Sequence, residues 1–158
     1  MSDDERQRLG SSGIFKVIVE GAKKLRRAVS ESDVELTPLA NALAVTIGQA
    51  FIAKRYGDVH ALGTPPFQKR TSRESFDARW RATIGDRVLT SFSITDAGYI
   101  DLAYVPGLEE VSQQDFVGFA QITFSTPEIK LDDDRAFAIA AVLLDHDGTI
   151  RLGALHAR

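Results

Sequence analysis

Apolar residues recur at helical spacing in the first half of the chain and at two-residue spacing in the second. Ile14, Ile18, Ala22, Leu25 and Val29 share one side, with Lys16, Glu20, Lys23 and Arg27 on the other. This predicts an amphipathic helix over 14–29, although Gly21 weakens it and the run IFKVIV also suits a strand. A polar linker follows. Thr37-Pro38 is an N-cap with a first-turn proline, and Leu39, Leu43, Ile47, Ala50 and Phe51 lie on one face of the helix it opens. That helix is expected to end near Tyr56-Gly57 on a left-handed glycine. Asp58 would cap a short helix over 59–62, broken by Gly63-Thr64-Pro65-Pro66. Thr71-Ser72-Arg73-Glu74 reads as a capping box. It opens a third helix with Phe76 and Trp80 one turn apart, closed by Gly85-Asp86.

From Val88 the pattern alternates. Val88, Thr90, Phe92 and Ile94 interleave with Leu89, Ser91, Ser93 and Thr95, as in a half-buried strand. Asp96-Ala97-Gly98 turns the chain, and 99–105 is expected to return as a strand. Acidic loops over 106–115 and 127–134 flank a long strand over 116–125. The strand over 136–144 is apolar on both faces. Asp147-Gly148 is a tight-hairpin signal, and 149–157 pairs back. The pattern predicts an α+β domain: three helices packed on an antiparallel sheet of about five strands, with the extra amphipathic helix before it. Its divisions are a disordered tail over 1–13, the helix and linker over 14–36, and the domain over 37–158.

Composition narrows the chemistry. The chain has 158 residues, 44% hydrophobic and 26% charged, and no cysteine, so disulfides and thiolate chemistry are excluded. No apolar run is long enough to span a membrane, and the start MSDDERQRLG lacks the pattern of a secretory signal; the cytoplasm is the expected compartment. A net charge of −3 argues against nucleic acid as partner. The charge is uneven: 54–87 carries eight basic and four acidic residues, whereas 96–135 carries nine acidic and two basic. These runs read either as solvated faces or as a basic rim drawing an anionic ligand or acidic partner. No metal motif is present; Asp132-Asp133-Asp134 lacks the spacing of a calcium loop. No cofactor is implied.

Three stretches resemble the nuclear-transport-factor-2-like superfamily: AFIAKRYGDVHAL, TPPFQKRTSRESFDARWRA and LLDHDGTIRLGALH. The resemblance covers 37–158 and implies a strongly curved sheet, a cone enclosing an apolar pocket beneath the helices. Members include ketosteroid isomerase, scytalone dehydratase, polyketide cyclases and non-catalytic binding domains, so the fold does not choose a function. The isomerase's donor tyrosine lies inside the first helix, where this chain has none; Tyr56 stands only at its end.

Candidate catalytic residues are Asp58, His60 and Asp101. Asp58 precedes His60 by two residues and reads either as a helix cap or as a pocket carboxylate. His60 could exchange protons near neutrality or be structural. Asp101, in an apolar strand, would face either solvent or the cone mouth. His156 is a weaker candidate, and His146 sits in the hairpin turn. Tyr56, Phe67, Trp80, Phe92, Tyr104 and Gln121 are candidate ligand-binding residues, for which core packing is the competing role. The doubly apolar strand over 136–144 needs cover on its second face, which predicts a homodimer through the outer sheet face, or cover by 14–29. The leading expectation is a protein that binds a small apolar or amphipathic molecule or a protein partner. The alternatives are a cofactor-independent lyase or isomerase, and a purely structural dimeric module.

Overall fold

The computed structural model describes residues 36–158. The expected tail over 1–13 and helix over 14–29 lie outside the described residues. Helix α1, Pro38–Ile52, starts as the sequence specifies: Thr37 Oγ1 accepts the Ala40 N–H at 3.2 Å, satisfying one of the orphan donors of the first turn. It buries Ala40, Ala44, Ile47, Gly48, Ala50 and Phe51. The helix does not end on Gly57. Ala53 caps it, and Lys54 takes the left-handed turn at φ 62°. Gly57 lies instead within α2, Tyr56–His60. A Cβ there would stand 2.8 Å from the Arg73 side chain, so glycine serves close packing rather than termination.

The expected break at 63–66 is the start of another helix, α3, Pro65–Arg70. Thr64 Oγ1 accepts the Phe67 N–H at 3.3 Å, repeating the threonine–proline start of α1. Helix α4, Arg73–Ile84, is capped by Ser72, whose Oγ accepts from Ser75 N. Ser72 rather than Thr71 is thus the cap, and the expected capping box from Thr71 to Glu74 does not form. Gly85, at φ 63°, closes the helix.

Four strands form one antiparallel sheet in the order β1-β2-β3-β4: Ser91–Asp96, Phe116–Ser125, Phe137–His146 and Thr149–Ala157. The β3–β4 hairpin turns on Asp147 and Gly148, both at positive φ, as a two-residue I′ turn requires. The expected fifth strand over 99–105 does not form. Leu102–Tyr104 is a 3₁₀ turn and Gln113–Asp115 a second. Gln113 braces the segment: Leu102 N–H donates to its Oε1, and its Nε2 donates to the Ile100 carbonyl.

The reason is visible in the packing. Phe137, Ile139, Ala141 and Leu143 of β3 face the helices. Val142 and Leu144 face the other way, where Leu102, Val105 and Leu108 cover them together with Phe116. The second apolar side of β3 is therefore covered, in part, by the chain's own 97–115 segment. Towards β1 that outer face carries Ser91, Ser93 and Thr95, paired with Ser125, Thr123 and Gln121, and needs no apolar cover. Strand β4 contains a bulge between Val142 and Leu143 of its partner, where Gly153 is the extra residue. A Cβ on Gly153 would lie 2.4 Å from Leu144 Cδ1. Among the described residues no helix is long and apolar enough to cross a membrane.

Leu108 is only 1% exposed although it lies in an acidic loop. Leu108→Ala is expected to destabilise the protein by about 2–4 kcal/mol in urea denaturation. A loss below about 0.5 kcal/mol, as for a solvated loop residue, would show that the segment does not cover the sheet.

Candidate functional site

A cavity of about 480 Å³ opens between α3, α4 and the end of β4. Phe67, Trp80, Ala154 and Leu155 supply its apolar wall. Arg70, Thr71, Arg79, Thr83, Pro106, His156 and Ala157 complete it. Local structure explains this set. On α4, Thr83 stands four residues after Arg79 and three after Trp80, hence beside both on the helix surface. The proline start of α3 carries Phe67 and Arg70 to the same place.

Arg70 is fixed at three points. It donates to the Gly153 carbonyl at 2.8 Å and to the Gly107 carbonyl at 3.1 Å, and its guanidinium lies over the Phe67 ring. Burial holds its pKa below the ordinary arginine value, against the opposing charge of Glu109. Arg79 lies over the Phe76 ring, 5.8 Å from the centroid. His156 has a pKa lowered by partial burial first, then by the Arg70 and Arg79 charges. The cavity is thus cationic at its polar side. No carboxylate lines it.

The wall behind it belongs to the core. Phe51 contacts Tyr56 and Trp80 edge-on, both at 5.2 Å, and stacks with Phe124 of β2 at 5.7 Å. Trp80 is 4% exposed and its Nε1 has no hydrogen-bond partner among the described residues.

The sequence candidates are scattered. Phe67 and Trp80 line the cavity. Tyr56 is a core residue beneath the Arg81 guanidinium. Burial raises its phenol pKa, with Arg81 opposing. Phe92 packs over Gly48 and against Phe124. Gln121 is half-buried on β2 and donates to Thr123 Oγ1. Tyr104 is 84% exposed rather than pocket-lining. Asp58 is not the cap of α2, whose N-cap is Arg55; it pairs at the surface with Arg73 at 2.8 Å and Arg55 at 3.4 Å. Asp101 caps the first 3₁₀ turn, accepting the Ala103 N–H at 3.0 Å. His60 is buried, and its Nε2 lies 2.8 Å from the Thr71 carbonyl and 3.3 Å from that of Gln68. Two carbonyl neighbours require that nitrogen to carry the proton. Gln68 Nε2 returns bonds to the carbonyls of His60 and Ala61. His60 therefore ties α2 to the α3–α4 junction.

Sequence reasoning left Arg70 and Arg79 out of the candidate set. The available signal was the excess of basic residues over 54–87; which of them share a cavity depends on the unexpected helix α3. Among the described residues no cluster of potential ligands could hold a metal ion. No family model matches the chain, and neither a curated protein nor a solved structure matches it significantly.

His60→Ala is expected to cost about 2–3 kcal/mol, from two carbonyls left without a donor and a small void. Asp58→Ala removes only exposed pairs and should cost less than about 1 kcal/mol. Thermal unfolding of both variants checks the contrast; equal effects would contradict the structural role of His60.

Proposed function

We propose that this chain is a binding protein whose cavity takes a small amphipathic anion, with its carboxylate or equivalent group at Arg70, Arg79 and His156 and its apolar part against Phe67, Trp80 and Leu155. The observation that carries this reading is the composition of the wall: two guanidiniums and an imidazole beside aromatic surface, with no acid among the lining residues. Ligand sites of this kind are mostly apolar with few polar groups fixing orientation, and arginine suits planar anions. Arg70 and Arg79 are two of the eight basic residues in the run over 54–87.

Membership of the nuclear-transport-factor-2-like superfamily, with its cone, belongs to the same proposal. The order of helices followed by an antiparallel sheet supports it. Proton transfer by Asp58, His60 and Asp101 is the less favoured reading, because none of the three lines the cavity. A homodimer through the outer sheet face is likewise less favoured, since 97–115 occupies the apolar surface around Val142 and Leu144, and Ala138 and Ala140 are already buried.

Octanoate is a suitable probe. It should bind the full chain in calorimetry, and Arg79→Gln should weaken binding about tenfold, the loss of one charge-assisted contact. Absence of binding, or an unchanged affinity in the variant, would reject the site.

The pH dependence has a definite sign. Without ligand, His156 favours its neutral form, so its contribution to folding is complete above the ordinary histidine pKa and declines as pH falls towards the lowered folded value. A bound carboxylate offsets the two arginine charges and favours the imidazolium. Octanoate should therefore raise the His156 pKa, and its affinity should increase as pH is lowered from about 8 to about 6. Titration of the imidazole resonances by NMR checks the direction.

A further inference from the structure

The cavity lies against the open edge of the sheet, and the backbone there has a use of its own. Strand β4 is the last in the order, and on one side it is bonded to β3. On the other side Leu152 is already paired by a segment of the same chain. Its N–H donates to the Leu62 carbonyl and its carbonyl accepts from Thr64, in a parallel bridge centred on Gly63. At Pro65, which has no N–H, that segment turns away into α3. The edge of β4 continues without it.

Strand geometry fixes which groups remain. Residues opposite one another in an antiparallel ladder alternate between bonded and non-bonded pairs. Leu152 points its groups outward, and Arg158 N–H bonds inward to the Ala138 carbonyl. Between them, after the Gly153 bulge, Leu155 and Ala157 are the outward pair, opposite Ala141 and Ile139. Both line the cavity. Among the described residues no backbone group bonds to either on that side. Arg70, anchored on the Gly153 carbonyl, stands between the occupied and the open part of the edge. Arg79 and Trp80 of α4 face it across the cavity.

We infer that the ligand class of this site is an extended acidic peptide, which adds beside β4 at Leu155 and Ala157. Strand addition supplies main-chain bonds from the edge, and pockets beside it select alternate side chains. One apolar side chain of the peptide would enter between Phe67, Trp80 and Leu155, while a carboxylate meets Arg70 and Arg79. Charge complementarity sets the sign of the peptide, and the Gly63 bridge shows that this edge accepts an extended segment. The inference rests on the binding reading above and narrows it from any amphipathic anion to a peptide.

The test uses the full chain and two probes: the blocked peptide Ac-VEVEVEV-NH2 and octanoate. The peptide is expected to bind at least about tenfold more tightly than octanoate, and to slow amide exchange at Leu155 and Ala157 at least about tenfold. The same peptide with alternate amides methylated should lose binding in one of its two possible patterns. A lysine-for-glutamate peptide should not bind. If octanoate binds and the acidic peptide does not, the peptide inference is wrong while the anion site stands. Peptide binding without protection of these two amides also overturns it. If neither probe binds, both readings fall.

Discussion

Strand β3 can face water on neither side, and that constraint organises the molecule. Residues 137–145 are all buried. At about 25 cal/mol per Å², both faces demand cover, and two different parts of the chain provide it. Helix α1 lays Ala40, Ala44, Ile47 and Phe51 into the core on the inner side. The 97–115 segment places Leu102, Val105 and Leu108 on the outer side. A segment lying across the face of this sheet cannot also be a strand within it. It must drape, and its backbone is satisfied by 3₁₀ turns and by the Gln113 side chain.

The same economy of elements places the cavity. The aromatic series from Phe124 through Phe51 to Trp80 runs from the sheet to the cavity wall, so the wall is a rigid continuation of the core. Arg70 is fixed by two carbonyls and a ring, and Arg79 lies on the Phe76 ring. Arg70 is thus a charged group fixed by the chain's own contacts. His60, for all its chemical promise, is engaged in holding α2, α3 and α4 together.

Much of the architecture was legible from local rules. Thr37-Pro38 opened α1, Asp147-Gly148 turned the hairpin, and the alternation over 88–95 overlapped β1 from Ser91 onward. What escaped depends on competition between elements. The stretch from Tyr99 to Val105 has strand composition, yet the apolar demand of Val142 and Leu144, distant in sequence, draws it across the sheet. Thr64-Pro65 carried the same helix-opening signal as Thr37-Pro38 but was outweighed by two adjacent prolines and a glycine. Of the cavity wall, Trp80 was marked for burial by its one-turn spacing from Phe76, whereas Phe67 lay just after the expected break and had no such signal. The cationic side could not be read, since a lone sequence gives Arg70 and Arg79 no distinction from six other basic residues in the same run.

Gly153 has a consequence beyond its close approach to Leu144. Ile150 and Leu152 face the core, and so does Leu155, an odd step that a regular pleat forbids. The inserted glycine is a phase shift in the strand. With unbroken alternation, Leu155 would turn outward and His156 would be driven into the aromatic interior. One residue without a side chain thus decides which of its neighbours is hydrocarbon filling and which is the titratable rim.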